Sequence, residues 1–471
     1  MSNKPNAIYI MGGGGTQVIS ASGYGAVQKA FASYRDKIGT FYIAVGGMRG
    51  ALNEDWCDMF AWALEEGEEK AESRLNRIKW YSAPVFGTSR HKPDSKDSER
   101  LLELLKAHNV KYVFLNGGND TMEKAMILQE FSERKGFPLT VVGVPKTVDN
   151  DLLVTHRCPG YASFAKQVAM NTMSVQADLD SFALPEGAVK DSPIKEGAVA
   201  QVLVLMGRDE GWGAAAAVAA KIDESYGPHV ILTKEGGFNP DKFIKKCQEA
   251  YDKYGRLLVV AAEGAHDGES YIGNYLQVAS KELNLEFQLH QDAHKNTSVT
   301  DSRLGLFLKL LIESKLNIPT HYKGLKVREE GPGYINRSHI EVVSAVDIQD
   351  AINVGSKAVE LAIGEGKGKV MPILTDKIGE VSYTELCNVA DTVKGSRGMT
   401  RSLSSLSIDG KSIISEDGMM IDKDLFMQYI GPFMDLNGPN RIELFREEGM
   451  KYPLERINFP LIERKLPAYV K

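Results

Sequence analysis

A lysine, a threonine and two aspartates follow directly after an apolar run in "VVGVPKTVDND", residues 141–151. Asp149 and Asp151 are two positions apart, so in an extended loop both carboxylates face the same side. Lys146 and Thr147 precede them on the same short stretch. These groups suit phosphoryl transfer, because that reaction needs positive charge for the transferred group, a divalent metal, and a carboxylate that accepts the hydroxyl proton.

Similar polar clusters end other apolar runs of the chain. "FLNGGNDT" brings Asn119 and Asp120 onto a glycine turn that lets backbone N–H groups approach phosphate oxygens. "FGTSRHK" contains Arg90, and "LMGRDEGWG" contains Arg208. In this interpretation one aspartate after the apolar run acts as the base and the other supports magnesium, while the lysine and the two arginines supply positive charge.

Short apolar runs alternate with helix-like stretches along most of the chain. Runs such as "AIYIM", "YVFLNG", "LTVVGVP" and "LLVVAA" are separated by stretches such as "SERLLELLKAHN". This alternation predicts a parallel sheet covered by helices on both faces, and ligands of such sheets bind beyond the carboxyl ends of the strands. The sequence therefore predicts an α/β protein whose polar clusters lie at strand ends. The chain has 471 residues, more than a single hydrophobic core usually accommodates, which predicts two domains with appendages.

Composition and charge are those of an ordinary globular protein. The formal net charge of −6 argues against a broad nucleic-acid-binding surface. The four cysteines lie far apart without metal-ligand spacing, which favours a reducing compartment. No apolar run reaches the length of a membrane-spanning helix, and the N-terminus lacks the apolar core of a signal peptide. We therefore expect a cytoplasmic protein with neither nucleic acid nor a membrane as a partner.

Three common motifs are incomplete or missing in the sequence. The glycine run in "MGGGGTQVIS" meets Gln17 or Val18 where a dinucleotide-binding motif needs its last glycine, although the glycines still allow a phosphate to approach the backbone. The pattern G-x-x-x-x-G-K-[ST] of a phosphate-binding loop does not occur. His290 and His294 share a helix face without the glutamate of a zinc protease, so we interpret them as ordinary surface histidines.

The segments "GGND", "PKTVDND", "MGRDEGWGAAAA" and "GPGYINRS" occur in this order along the chain. In order and spacing they resemble the phosphofructokinase family, in its pyrophosphate-dependent branch, over residues 7–265 and 325–370. The resemblance implies reversible transfer of a phosphoryl group from pyrophosphate to the 1-hydroxyl of fructose 6-phosphate. It also implies Mg²⁺ as the cofactor and a homodimer or homotetramer as the assembly.

The resemblance implies a fold as well. We expect two Rossmann-like three-layer domains with mostly parallel sheets, together with an insertion and a C-terminal extension. The expected division is a phosphoryl-donor domain at 1–163, a sugar-phosphate domain at 164–400 with the insertion near 266–325, and the extension at 401–471. The chain is expected to return to the first domain after residue 333.

Individual residues acquire expected roles from the resemblance. Asp149 is expected to take the hydroxyl proton, Thr147 and Val148 to line the contact with the sugar, and Asn119 with Asp151 to hold the metal. The other expected sugar-phosphate contacts are Met206, Gly207, Arg208, Glu235, Tyr334, Arg337 and Arg328. Among them, Arg328 corresponds to an arginine that reaches a neighbouring subunit in the family. The expected donor contacts are Gly13, Arg90 and Gly118.

The expected donor depends on Asp120 and Lys146. ATP-using members of the family have glycine at both positions. Two like charges about 4 Å apart cost on the order of 4 kcal/mol at an effective dielectric of about 20, or roughly a thousandfold in affinity. Asp120 therefore disfavours the α-phosphate of ATP, while Lys146 is expected to hold a pyrophosphate that has no adenosine to anchor it. Together they predict pyrophosphate as the donor.

Several residues depart from the family pattern. In place of the family's residues this chain has Asn119 instead of a metal-binding aspartate, His156 instead of an acid, Gln17 instead of a proline, Ser20 instead of an asparagine, and Val199 instead of an arginine. Lys195 is the candidate to replace that arginine. Two alternatives therefore stay open beside the pyrophosphate-dependent enzyme. One is an ATP-dependent kinase of the same fold, and the other is a non-catalytic regulatory subunit that binds a sugar phosphate.

Overall fold

The computed structural model describes residues 4–182, 198–274, 304–316, 326–390, 400–450 and 454–469. The chain divides into two compact units. The first comprises Met1–Phe164, Arg337–Thr400 and Phe433–Lys471, and the second comprises Ala165–Asn336 and Arg401–Pro432. The domain boundaries expected from the sequence remain predictions. Lys195, His290 and His294 lie outside the described residues.

Helices and strands alternate along the chain as the apolar pattern predicts. The described strands are β1 (Asn6–Met11), β2 (Phe41–Ala44), β3 (Trp56–Asp58), β4 (Val110–Gly117), β5 (Thr140–Pro145), β6 (Ala198–Leu205), β7 (Val230–Leu232), β8 (Leu257–Ala262), β9 (Lys326–Glu330), β10 (Val370–Leu374), β11 (Val381–Glu385), β12 (Ser407–Ile408) and β13 (Lys411–Ser412). The described α-helices are α1 (Ile19–Tyr34), α2 (Gly47–Asn53), α3 (Met59–Leu64), α4 (Glu68–Asn76), α5 (Ser95–Ala107), α6 (Asn119–Arg134), α7 (Tyr161–Phe182), α8 (Trp212–Ala215), α9 (Pro240–Tyr254), α10 (Leu304–Lys315), α11 (Ala345–Val359), α12 (Lys423–Met434) and α13 (Arg441–Glu447).

The first unit is built on a seven-stranded sheet with the order β11-β10-β5-β4-β1-β2-β3. The five inner strands are parallel, and the two edge strands join antiparallel. Alternate residues of β1 enter two separate apolar clusters, since Tyr9 packs with α1 and α11 whereas Ile8 and Ile10 pack with α5 and α6. The period of two in a strand thus produces three layers, with helices on both faces of the sheet.

Two glycines allow helices α1 and α11 to pack closely in the first unit. A Cβ atom on Gly25 would lie 2.2 Å from the carbonyl oxygen of Ile352, and one on Gly355 would lie 2.0 Å from that of Ser22. Any larger residue at either position would force the backbones apart. The contact matters for the site, because α1 starts directly after the glycine run that follows β1.

The second unit contains a four-stranded, fully parallel sheet with the order β7-β8-β6-β9. One face of β6 is buried against α9 and α10, where Val202 and Val204 share a cluster with Phe243 and Leu308. The fold class predicted from the sequence, a mostly parallel α/β protein, is confirmed by these two sheets. No described helix is both long and apolar enough to cross a membrane.

Candidate active site

The carboxyl ends of three adjacent strands carry the predicted donor residues. In the sheet of the first unit the chain runs from β1 to β2 and β3 on one side, and then crosses to β4 and β5 on the other side of β1. Open α/β sheets bind ligands at such a switch point. The glycine run follows β1, Gly118 and Asn119 follow β4, and Lys146 follows β5.

The glycine run after β1 forms a loop held from two sides. Gly13 has φ +75°, and its N–H donates to the carbonyl oxygen of Ser89 at 3.1 Å. The hydroxyl of Thr88 donates to the carbonyl oxygen of Gly13 at 2.8 Å. A Cβ atom on Gly14 would lie 2.5 Å from Nη1 of Arg337. The absence of side chains therefore lets an arginine from far along the chain approach this loop.

Lys146 is a cation in direct contact with the glycine loop. Its side chain is buried, and Nζ donates to the carbonyl oxygen of Gly14 at 2.5 Å. A Cβ atom on Gly13 would lie 3.4 Å from the same Nζ. Burial is the main cause that lowers the pKa of Lys146 to about 8. The carboxylates of Asp149 and Asp151 oppose that shift, while the remaining influences come from Arg337 and Arg90, which lower the pKa further.

The loop that carries Asp149 is fixed by its own backbone and side chains. The N–H of Asp149 donates to Oγ1 of Thr147 at 3.0 Å. Asn150 adopts a left-handed conformation, with φ +54°, and its Oδ1 accepts from the N–H of Cys158 at 2.9 Å. Val148 is buried, whereas Asp149 is only partly buried. These hydrogen bonds therefore fix the backbone of the loop on both sides of the Asp149 side chain.

Asn119 and Asp151 lie side by side, as the sequence predicts for a metal site. Nδ2 of Asn119 donates to Oδ2 of Asp151 at 2.8 Å. Oδ1 of Asn119 is buried, and no hydrogen-bond partner for it exists within the part of the chain that the structure describes. An amide and a carboxylate oxygen fit magnesium, which takes few protein ligands and completes its shell with water and phosphate. Groups of three or more histidine, cysteine or carboxylate ligands are not found among the described residues.

Asp120 and Arg90 lie at the rim of the donor region. Asp120 is in the first turn of α6, behind Gly118 at the N-cap, and its side chain is 64% exposed. Its carboxylate lies 3.6 Å from Nζ of Lys92. Arg90 is exposed on the same loop as Lys92. Sequence reasoning missed Lys92, although its position two residues after Arg90 is a signal that was available.

The predicted sugar residues of the second unit lie on loops after β6 and β7. Met206 is buried, Gly207 has φ +137°, and Nε of Arg208 lies 3.7 Å from Oε1 of Glu263. The side chain of Glu263 is 5% exposed, so the guanidinium of Arg208 lies against a buried carboxylate. Sequence reasoning missed Glu263, which directly follows β8 just as Met206 follows β6.

The carboxylate of Glu235 is anchored to backbone of the same unit. Its Oε1 accepts from the N–H groups of Gly211 and Leu403, each at 3.0 Å. Its Oε2 is buried and, among the described residues, has no hydrogen-bond partner. One oxygen therefore fixes the side chain while the other remains able to accept a hydrogen bond from a sugar hydroxyl.

The last predicted contacts lie on or near a 3₁₀ helix, Gly333–Arg337. Tyr334 is 43% exposed, whereas Arg337 is partly buried beside Gly14 as described above. Arg328 lies on β9 and forms an ion pair with Asp178 of its own unit. The structure thus brings Arg337 to the glycine loop and leaves Tyr334 on the surface.

The positions that depart from the family pattern have structural roles of their own. The imidazole of His156 lies 5.3 Å from the ring of Phe433, and the backbone N–H of His156 donates to the carbonyl oxygen of Leu374. The hydroxyl of Ser20 donates to the carbonyl oxygen of Ala83 at 2.6 Å. Gln17 is fully buried. Val199 lies within β6.

Comparisons with known proteins show the family of this chain. The family model described as "Phosphofructokinase" matches residues 6–362, and the chain belongs to this family. A pyrophosphate–fructose 6-phosphate 1-phosphotransferase of Rhodospirillum rubrum is 31% identical over 447 residues, which cover 94% of this chain and 97% of that protein. Its counterpart in Halomonas elongata is 29% identical, with 98% and 99% covered. The crystal structure of a pyrophosphate-dependent phosphofructokinase from Nitrosospira multiformis matches with a TM-score of 0.76 at 27% identity, covering 99% of each chain.

Proposed function

We propose that this protein transfers a phosphoryl group from pyrophosphate to the 1-hydroxyl of fructose 6-phosphate, releasing fructose 1,6-bisphosphate and phosphate. Relatives that match over nearly the whole chain have the same named activity. The structural observation that carries the proposal is the buried ammonium of Lys146 against Gly14, in the electrostatic reach of Asp149 and Asp151. A cation, a phosphate-accessible backbone and a base meet at one switch point.

The donor end of the reaction uses the first unit. Lys146 and the backbone at Gly13 and Gly118 bind the pyrophosphate oxygens, with Arg90 at the rim. Arg337 lies against the glycine loop, where its charge acts on the transferred group; its expected contact with the sugar phosphate remains a prediction. A guanidinium suits a phosphate dianion because its donors form a rigid fork.

Asn119 and Asp151 are the residues that would hold Mg²⁺. When bound, the ion neutralises charge on the pyrophosphate oxygens and so lowers the cost of bringing in the acceptor. The hydrogen bond between the two side chains, and the buried Oδ1 of Asn119 that has no hydrogen-bond partner among the described residues, support this assignment. An amide in place of a second carboxylate lowers the negative charge of the site, which is compatible with a donor that already carries several charges.

Asp149 accepts the proton of the 1-hydroxyl as the sugar oxygen bonds to phosphorus. The bond from that phosphorus to the bridging oxygen of pyrophosphate breaks, and its electron pair leaves with phosphate. Thr147 and Val148 line the sugar contact, since the hydroxyl of Thr147 already fixes the backbone at Asp149. The P–O bonds broken and formed are of similar energy, so the reaction is reversible and serves glycolysis in either direction.

The sugar contacts are proposed for the second unit and the 3₁₀ helix. Arg208 lies beside the carboxylate of Glu263, and Glu235 is held by the N–H groups of Gly211 and Leu403, which leaves its Oε2 for a sugar hydroxyl. Tyr334 is exposed, and Arg328 is the candidate to act across subunits of a homodimer or homotetramer. Met206 and Gly207 complete the loop that presents Arg208.

ATP is a second candidate donor, and one observation favours it. Asp120 is 64% exposed and paired with Lys92, so its charge is partly neutralised and screened. This weakens the repulsion that the sequence predicts against the α-phosphate. An ATP-dependent enzyme of the same fold is therefore kept as the alternative.

A coupled assay of the purified protein with fructose 6-phosphate and Mg²⁺ tests the proposal, with pyrophosphate and ATP compared as donors. Turnover with pyrophosphate and none with ATP is the expected result. Turnover with ATP alone would replace the proposal with the alternative. Lack of turnover with either donor would contradict both and indicate either the regulatory subunit or another acceptor sugar.

A further inference from the structure

The segment after α12 belongs to the first unit, where it packs against the rest of that unit and reaches two loops of the donor region. We call residues 435–450 and 454–469 the C-terminal strap. Sequence reasoning assigned no role to it. Its contacts with the first unit are not confined to apolar packing, because two of its side chains bond directly to the donor loops or to a residue that holds them.

Arg441 is the first of these two side chains. It is fully buried, with Nη2 donating to the carbonyl oxygen of Gln17 at 2.7 Å and Nη1 donating to that of Trp80 at 2.9 Å. Gln17 is the residue that connects the glycine loop to helix α1. The arginine therefore holds the backbone at the point where the loop enters the helix.

The buried charge of Arg441 is costly to maintain. Desolvation lowers its pKa to about 9, and the nearby carboxylate of Asp347 only partly compensates. Burying a charge costs free energy that burying an apolar side chain of similar size does not. An arginine at this position thus suggests a role other than packing, and its directed hydrogen bonds to Gln17 and Trp80 provide one.

Tyr469 is the second side chain. Its hydroxyl donates to Oδ1 of Asp97 at 2.6 Å, and Oδ2 of the same carboxylate lies 2.8 Å from Nε2 of His91. The N–H of His91 donates to Oγ of Ser89 at 3.0 Å, and the carbonyl oxygen of Ser89 accepts from Gly13. A continuous series of hydrogen bonds therefore leads from the strap to the glycine loop.

The strap is also fixed between its two ends. Glu54 is fully buried and accepts from the backbone N–H groups of Lys465 and Leu466 and from the imidazole of His108. Arg100 donates to the carbonyl oxygen of Pro467 at 2.7 Å. These contacts place Tyr469 accurately relative to Asp97, so that its hydroxyl supports the loop that also carries Arg90 and Lys92.

We propose that Arg441 and Tyr469 are positioning residues for the phosphoryl donor: the C-terminal strap holds the glycine loop and the loop at residues 88–92 in the geometry that binds pyrophosphate. The inference rests on the proposed function. It assigns the strap to donor binding and not to sugar binding, so its loss should affect the two substrates unequally.

Arg441→Met, Arg441→Lys and Tyr469→Phe test the inference, with Arg464→Ala as the control. Arg464 is on the same strap and forms an exposed ion pair with Asp55, away from the donor loops. Loss of a charge-assisted hydrogen bond predicts a rise of about tenfold in KM for pyrophosphate with Arg441→Met, and about threefold with Tyr469→Phe. KM for fructose 6-phosphate and kcat should stay within about threefold, and Arg441→Lys should recover part of the loss.

Hydrogen exchange of the free proteins supplies a readout that does not depend on turnover. Backbone amides of residues 12–20 and 88–97 should exchange faster in Arg441→Met and Tyr469→Phe than in Arg464→Ala. Equal rises in KM for both substrates, or unchanged exchange in both loops, would overturn the inference. Wild-type protein that fails to use pyrophosphate would refute the proposed function, while the exchange data would still decide whether the strap holds the loops.

Discussion

Titration of Lys146 should make use of pyrophosphate dependent on pH. Burial lowers the pKa of this lysine to about 8, so the ammonium is charged below that pH and neutral above it. The protonated fraction then falls from about nine-tenths at pH 7 to about one-tenth at pH 9, a tenfold change. If the charge binds pyrophosphate, kcat/KM for pyrophosphate should fall about tenfold across this range, because kcat/KM reports the pKa values of the free enzyme.

The assay is a coupled rate measurement at limiting pyrophosphate and saturating fructose 6-phosphate, from pH 6.5 to 9.5. Pyrophosphate itself titrates in this range, so Lys146→Arg serves as the matched control: its guanidinium stays charged throughout. The ratio of wild-type to Lys146→Arg rates removes the titration of the substrate. Lys146→Gln, with no charge at any pH, should be weak throughout and should show no step near pH 8.

One result would refute this reasoning. If the ratio of wild-type to Lys146→Arg rates is constant between pH 7 and pH 9 while Lys146→Gln is strongly impaired, the lysine acts without changing its charge. The buried hydrogen bond to the carbonyl oxygen of Gly14 would then be its main contribution, and the assignment of Lys146 as the charge that holds the donor would be wrong.

Three further predictions concern the base, the donor and the loop that carries the base. Asp149→Asn should lower kcat by roughly 10²–10⁴-fold in the coupled assay with little change in either KM, because it removes the general base. Asp120→Gly should raise kcat/KM for ATP only about fivefold, since an exposed charge near ε of about 80 contributes about 1 kcal/mol at 4 Å. Arg157→Met should lower the free energy of unfolding by about 3–5 kcal/mol in chemical denaturation, because it leaves the buried Asp350 without its bidentate partner.

Each of these predictions has an outcome that contradicts it. A rate of Asp149→Asn close to wild type would remove the aspartate from catalysis. A gain with ATP near a thousandfold in Asp120→Gly would show that the carboxylate acts in a low dielectric. The double variant Arg157→Met/Asp350→Leu should recover most of the lost stability, and failure to do so would mean that the ion pair is not the cause.

Much of the architecture follows from local sequence patterns. Apolar runs of strand length between helical stretches specified parallel strands, and the polar residues after β1, β4 and β5 lie at one edge of a sheet as predicted. Lys146, Thr147 and Asp149 are close together in the chain, so their grouping required no knowledge of packing. Asn119 and Asp151 lie side by side because neighbouring parallel strands bring their ends together, and their role as metal ligands stays a prediction.

Contacts between distant segments were decided only by the tertiary structure. The sequence shows no pattern that brings Arg337 to Gly14, Lys92 to Asp120 or Arg441 to Gln17. The periodic spacing of apolar residues along a helix or strand indicates which face of that element is buried, because residues on one face are near neighbours in the chain. Which charged side chain approaches which loop depends on how whole elements pack, and that information is spread over the entire core. The sequence by itself thus determined the class of fold and the position of the polar residues at the strand ends, whereas packing of the C-terminal strap and the returning chain decided which residues surround them.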